Sequence, residues 1–394
     1  MVRRASGASL KSPGFLLIVH ILSCKIEISS ARGFSSINIS NSTVEKHGLV
    51  IFVLSSLKSR LPSCLLTILL LANSAWPWGN EGHMQINRVA AEKLPSDVPA
   101  FLRNAAEQLA YLGPEPDRWR EKSELALKLS QEPDHFLDME LIEGMTLPPD
   151  RYSYYRALEA KRQQTPGQPD ALLPEKVGLQ PYITMEIFGR LIVAFREYRH
   201  ALRDHTSPEF AERNVIFYAG WLGHYVADGA NPLHTTVNYN GWTTANPNGY
   251  TTAKTIHWKM EGEFVAANLK NLPFADLVPA KASKLGDPFQ NYLAYLQQSH
   301  GYVEKAYQLE KAGGFDGAGT PESRKFIEQR MAYGADMLRN LWYTAWLDSA
   351  VDPPPHVTAK PASTPAPKAT PSYSPTPNMR TAPKVGEPTP QPGG

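Results

Sequence analysis

Through the middle of the chain, apolar residues recur at three- and four-residue spacing, and no convincing run alternates as a half-buried strand would. Met84, Ile86, Val89 and Ala90 open one helix, and Ile183, Ile187, Leu191, Ile192 and Phe195 give a longer one reaching about Leu202. Ser207-Pro208 opens the next with proline in its first turn, and Phe210, Val215, Ile216, Tyr218, Ala219, Leu222 and Val226 carry it on. Asp287-Pro288 starts a helix through Tyr292, Leu296 and Val303, and Thr320-Pro321 starts another through Ile327, Met331, Leu338 and Leu341. The pattern predicts an all-α protein, a single multi-helix domain over residues 76–350.

That pattern stops at both ends. Leu65 to Ala72 is almost wholly apolar, follows Lys58 and Arg60, and leads into Asn73-Ser74-Ala75, which reads as a secretory signal over about residues 58–75 with cleavage near Ala75. The run is too short to span a bilayer, so a secreted or periplasmic protein without a transmembrane anchor is expected. A signal so far from Met1 implies that translation starts nearer Lys58 and that the stretch before Val50 is no part of the protein; residues 1–75 are then an upstream segment plus signal. Cys24 and Cys64 are the only cysteines and both precede the cut, so the exported chain would hold no disulfide. Cys64 lies ahead of the apolar run, which argues against a lipoprotein anchor. Residues 351–394 turn to Pro, Thr, Ala, Ser and Lys; such a tail cannot bury enough apolar surface to offset its chain entropy and reads as disordered and polyproline-like. No fixed-period repeat interrupts the domain, and a formal net charge of +2 over 394 residues removes bulk basicity as an argument for nucleic-acid or membrane-surface binding.

The chemistry is concentrated in WLGHYVADGANPLH, from Trp221 to His234, and IHWKMEGE, from Ile256 to Glu263. His224 and Asp228 stand four apart, as do His257 and Glu261, so on a helix each pair projects from one face and can close on one cation, with His234 arriving from the loop between. Imidazole and carboxylate ligands without thiolate suit zinc or another first-row divalent ion used for hydrolysis. Upstream stand His83 in WGNEGH, Asp117 in PEPDRWR and His135 in PDHFLDME. Alone, each has a plain alternative: a lone histidine is usually a satisfied core or surface residue, and Asp117 after two prolines is equally plausible as a helix N-cap.

In order, WxxxxH, PDxxR, HFxD, GHxxxDxxNPLH and HxxxE resemble the secreted zinc-dependent hydrolases that include single-strand-specific nucleases and bacterial zinc phospholipase C, and the resemblance covers essentially the whole domain. It implies an all-helical fold with three zinc ions in a cleft. By position, Asp117, His135, His224 and Asp228 would hold the first, and His234, His257 and Glu261 the second. His83, a bridging Asp228 and the amino end of an N-terminal Trp would hold the third. Trp78 has the nuclease spacing to His83 whereas a cut after Ala75 exposes Trp76, so either Trp76 is the terminal ligand or Trp76-Pro77 is trimmed to leave Trp78. The resemblance also gives Asp117 the task of orienting or deprotonating the attacking water and places Arg120 at the phosphate; read alone, Arg120 is equally a solvated helix charge.

The same resemblance leaves two substrate classes open. Phe136 and Asp138 match residues that stack and hydrogen-bond a nucleobase in the nuclease branch, although HFxD also occurs in the phospholipases and Phe136 could be core. Glu81 matches a choline contact of phospholipase C, but Arg118 and Glu132 stand where that pocket has aromatic rings. Glu261, where the nucleases usually have Asp, and the lack of disulfides point the other way. The expectation is a monomeric endonuclease for single-stranded DNA or RNA, with a phospholipid substrate as alternative and a non-catalytic zinc-binding module as a third class.

Overall fold

The computed structural model describes residues 28–31, 34–37, 79–165, 167, 169–271 and 273–352. The chain divides into two units, Met1–Ser74 and Ala75–Gly394. In the first, β1 (Ile28–Ala31) and β2 (Phe34–Ile37) form an antiparallel hairpin with Ile28 opposite Ile37 and Ala31 opposite Phe34. Sequence reading set this stretch aside and foresaw no strand in it. The signal segment, Trp76, Trp78 and the Pro-rich tail beyond Asp352 lie outside the described residues.

The second unit is helical. Its first part carries α1 (Gly79–Glu92), α2 (Ala100–Arg103), α3 (Ala106–Leu112), α4 (Glu115–Arg118) and α5 (Leu125–Gln131). Then come α6 (Arg151–Gln164), α7 (Pro174–Val177), α8 (Gln180–Arg203) and α9 (Glu209–Ala230). The last part holds α10 (Val265–Asn268), α11 (Pro288–His300), α12 (Val303–Lys311) and α13 (Pro321–Asp348). Among the described residues of this unit no strand occurs, only an isolated bridge between Tyr239 and Gly241.

Local chemistry fixes the ends. The Asp150 carboxylate accepts from the Ser153 amide and Asp287 from Gln290, while Thr320 and Ser323 form a reciprocal capping box ahead of α13. The helix expected from Asp287-Pro288 through Val303 is in fact two. It stops at His300, whose Nδ1 lies 2.8 Å from the Thr235 carbonyl, and a Gly301-Tyr302 turn starts α12. Glycine, the poorest helix former after proline, marks the break.

Helix α9 is the axis of the unit, with α1, α3, α8, α11 and α13 packed around it. Every residue from Leu222 to Ala230 is buried, so this turn of helix is apolar all round except for His224 and Asp228. Trp342 Nε1 donates to Ala219 O at 3.1 Å, and the hydroxyls of Tyr292 and Tyr295 donate to the carbonyls of Tyr225 and Val226 at 3.0 and 2.6 Å. Close approach of α1 depends on Gly223, since a β-carbon there would lie 1.9 Å from Asn87 Oδ1. Asn87 fills that space and donates to the carbonyls of Leu109 and Gly220 at 2.8 and 3.1 Å, tying α1, α3 and α9 together one turn from His83.

Candidate metal centre

Six separate pieces of chain deliver the candidate ligands. His83 comes from α1, Asp117 from α4, His135 from the end of the 3-10 turn Glu132–His135, and His224 and Asp228 from α9. His234 closes the 3-10 turn Pro232–His234, and His257 precedes a π-helical segment, Trp258–Phe264, that carries Glu261. An α-helix was expected for this last pair. The Trp258 ring packs on the Gly262 backbone, where a β-carbon would meet it at 2.3 Å, and the turn is wider there, as at many functional sites. The pair still meets, His257 Nε2 lying 2.7 Å from Glu261 Oε1.

Asp228 is the hinge of the arrangement. Its Oδ1 lies 3.4 Å from His83 Nε2, while its Oδ2 lies 3.1 Å from His135 Nδ1 and 3.4 Å from His224 Nε2. The two oxygens thus face different imidazoles, Oδ1 that of His83 and Oδ2 those of His135 and His224, as a carboxylate able to bridge two ions would. The Asp117 carboxylate lies 4.0 Å from both His83 Nε2 and His224 Nε2, and the rings of His83 and His224 stack at 4.1 Å. Three clusters with ligand spacing result: His83, His224 and Asp228; Asp117, His135 and His224; and His234, His257 and Glu261. The third is the set expected for the second zinc, and the other two divide the remaining side chains around Asp228.

Backbone carbonyls aim the rings. Nδ1 of His224 lies 2.9 Å from Gly113 O, that of His234 2.7 Å from His135 O, and that of His257 3.1 Å from Tyr239 O. With each Nδ1 proton given to a carbonyl, each Nε2 is left as a lone-pair donor directed at the cluster. Two further residues hold the ligands and escaped sequence reading. The Asn231 amide donates to Glu261 Oε2 while its Oδ1 accepts from the Leu233 amide; the residue lies inside the NPLH run, so its position was visible but not its task. Gln180 donates to the carbonyls of His135 and Tyr225 at 3.3 and 3.1 Å, and nothing in the pattern of α8 marks it.

Burial and mutual charge shift the titratable groups of the site. Burial raises Asp117 to about 8 against the pull of Arg120, and burial together with Asp117 and Glu261 raises Asp228 well above the carboxylate range. Burial also holds His135 and His224 well below their usual value, and His234 below it despite Glu261. Burial pushes Glu261 up, but the imidazoles of His257 and His234 outweigh it and bring it to about 2; reciprocally, burial depresses His257 and Glu261 overrides it upward. Among the described residues, buried Asp117 Oδ2, Asp228 Oδ1, His135 Nε2 and His234 Nε2 have no hydrogen-bond partner, a costly state for buried polar atoms and one that a metal would relieve. The donor set, all nitrogen and oxygen, fits zinc.

The remaining candidates divide. Arg120 reaches the cluster, its Nη1 donating to Asp117 Oδ1 at 3.3 Å while Nη2 lies 3.7 Å from Glu132. Phe136 is half-buried directly after His135, with its carbonyl seated on Gly178, whose φ of +100 and 2.1 Å clearance admit no side chain. Asp138, largely enclosed, is pushed up to about 8 by burial and by Glu140. Glu81 is exposed on the first turn of α1, and the charge it acts on is Arg88. Arg118 donates to Glu115 and stacks 4.3 Å over Tyr111, while Glu132 pairs with Arg120 and Lys128, so no aromatic cage for a quaternary amine forms at these two positions. Trp78 lies outside the described residues. Gly79, the next residue, does not; its β-position would be 3.6 Å from Gly262 Cα and 3.7 Å from Glu261 O, so the chain enters α1 beside the cluster.

No protein-family model matches the sequence, and neither does any curated protein. Among solved structures, an alpha-toxin of Clostridium perfringens from an avian strain is similar at TM-score 0.38 and 14% identity, covering 70% of this chain and 66% of that one. An alpha toxin from Clostridium absonum is similar at TM-score 0.36 and 13% identity, covering 70% and 68%. The chain therefore spans just under two thirds of the length of the first. A likeness of this size extends to neither ligands nor substrate, and the site rests on its own geometry.

Proposed function

We propose that the protein is a zinc-dependent phosphodiester hydrolase holding up to three ions. The observation that carries this reading is the placement of Asp228, whose two oxygens face different buried imidazoles, three of the site's rings being aimed by backbone carbonyls. His83, Asp117, His135, His224 and Asp228, with an N-terminal Trp78 or Trp76 ahead of Gly79 in the sequence, would hold two ions, and His234, His257 and Glu261 the third. When bound, such ions supply an acidified water and stabilise charge on phosphorus and on the leaving oxygen. Asp117, wholly buried and held by the partly exposed Arg120 guanidinium, would take the water's proton. Arg120, partly exposed, offers its remaining N–H groups to a phosphate while its charge keeps Asp117 oriented. No side chain has to form a covalent intermediate.

Of the two substrate classes, the exposed leucines of α5 next to Arg120 favour a phospholipid ester. Single-stranded nucleic acid is the second reading, favoured by the incompletely buried Phe136 directly after His135. Elemental analysis of the mature protein, run beside hydrolysis of phosphatidylcholine, single-stranded DNA and RNA, tests both. Close to three zinc per chain with one of these substrates cleaved is expected. Fully folded protein with one zinc or none, or with no phosphoester cleaved, defeats the reading.

A further inference from the structure

Helix α5 links the site's two halves: Arg120 lies before it and Glu132 to His135 directly after it. Its sequence is Leu-Ala-Leu-Lys-Leu-Ser-Gln, and only Gln131 is buried, its amide donating to the Pro116 carbonyl at 3.1 Å. Leu125, Leu127 and Leu129 are exposed at 58%, 45% and 57%. Such clustering of large apolar side chains in solvent marks an interaction surface.

The spacing limits what can cover them. On a helix Leu125 and Leu129 share a face, whereas Leu127, two residues on, projects away from it. Lys128, Ser130 and Gln131 keep α5 from being apolar all round, but leucines on two sides give no single ridge for a protein groove, whereas a fluid apolar layer takes side chains from either side of a two-turn helix. Charge limits it further. Glu121, Lys122, Glu124 and Lys128 nearly balance, so this surface offers nothing to a polyanion such as nucleic acid, which binds through phosphate neutralisation. Position supplies the last constraint: Lys128 of α5 and Arg120 both approach Glu132, at 3.8 and 3.7 Å, so whatever covers α5 lies near Arg120 and must leave a phosphodiester within reach of Asp117. A zwitterionic phospholipid surface has apolar depth, no net charge and phosphodiesters at its boundary. We infer that α5 is an interfacial anchor, dipping its leucines into such a surface and holding the candidate metal site over the head groups. This rests on the phosphodiesterase reading for the purpose of the anchor, but not for its existence.

The test uses the mature, zinc-loaded protein and phosphatidylcholine vesicles, with partition measured by sedimentation and without reference to turnover. The wild type should bind, with little dependence on salt, because apolar insertion and not charge drives it. Replacing Leu125, Leu127 and Leu129 together by Ser should weaken partition about ten-fold or more while hydrolysis of a water-soluble phosphodiester without acyl chains is unchanged. Leu202→Ser, at another exposed leucine, is the control and should leave partition as it was. The triple variant loses only solvent-facing side chains, and an unchanged melting temperature verifies its fold. Wild type that ignores vesicles, equal partition of the triple variant, or a dimer that the triple variant converts to monomer would each overturn the anchor. If no phosphoester is cleaved but partition behaves as stated, the anchor stands and the catalytic reading falls.

Discussion

Gly223→Ala sets two effects of opposite sign against each other at the joint that places His83. Alanine in a helix interior is favoured over glycine by about 1 kcal/mol, so on propensity alone the change stabilises α9. The new β-carbon, however, would sit 1.9 Å from Asn87 Oδ1, 2.6 Å from Cγ and 2.7 Å from Nδ2, far inside van der Waals contact. Asn87 must leave, and with it go two buried hydrogen bonds, to Leu109 O and Gly220 O, at about 1 kcal/mol each and more if the carbonyls stay unpaired. Overpacking adds about 1–3 kcal/mol. The net is a destabilisation of about 2–4 kcal/mol, or roughly 3–7 °C in melting temperature for a domain of this size. Since His83 lies one turn from Asn87, a displaced α1 should also draw its imidazole away from Asp228 and lower zinc content.

Gly189 supplies the internal control. It lies inside α8 with nothing within 4 Å of its β-position, so Gly189→Ala should keep the propensity gain and raise the melting temperature. Thermal unfolding of both variants, metal-free and zinc-loaded, with metal analysis alongside, measures every term. A Gly223→Ala protein as stable as the wild type, or one that gains as much as Gly189→Ala, would show that α1 and α9 do not meet through Asn87.

Four further outcomes are expected. Asp228→Ala should lose metal together with activity, whereas Asp117→Asn should keep much of the zinc while kcat falls about a hundred-fold or more, on the order of 3 kcal/mol of barrier; equal, mild effects in both would defeat the assignment. Burial raises both Asp117 and Asp228, so the metal-free pair retains a proton that unfolded carboxyls have released at pH 7, and the stability this lends is full below the ordinary carboxylate range and is lost as pH rises through the raised values. Zinc must displace that proton: calorimetry at pH 7 in buffers of different ionisation heat should show net proton release that shrinks above pH 9, and zinc uptake with no release contradicts it. Intact mass of the exported protein should begin at Trp76 or Trp78, and a chain with extra N-terminal residues should lose about one zinc and most activity; full activity with a blocked terminus removes the amino ligand. If the substrate is nucleic acid, Phe136→Ala should weaken cleavage of single strands by roughly 1–3 kcal/mol and spare a phosphodiester without a base; no selective loss ends the stacking role.

What the sequence made legible was whatever repeats with the period of a helix. Residues four apart must share a helical face, so His224 with Asp228 and His257 with Glu261 could be paired before any fold was known, and both pairs meet. Apolar spacing likewise located α1, α8, α9 and α13, because their buried faces obey that period. The split at Gly301 and the π-helical turn over Trp258–Phe264 escaped because tertiary contacts decide them: His300 is held by the Thr235 carbonyl, and the Trp258 ring needs the bare Gly262 backbone. Asn231 and Gln180 escaped for the same reason, since their partners lie 30 and 45 residues away.

Helix α5 is the instructive opposite, for its leucines follow no amphipathic period and so give no signal as core. Periodicity reports what a segment packs against within its own chain. A segment that packs against nothing in that chain is silent to it, and becomes visible only when burial is known and three leucines are found in solvent beside Arg120. The candidate metal ligands are the reverse case: they were legible because residues able to close on one cation from a helix must share one face. The side chains that choose a substrate answer to a partner outside the chain. Arg118 and Glu132, which stand where a choline pocket would need rings, had to be seen engaged with Glu115, Tyr111, Arg120 and Lys128 before that pocket could be set aside at their positions.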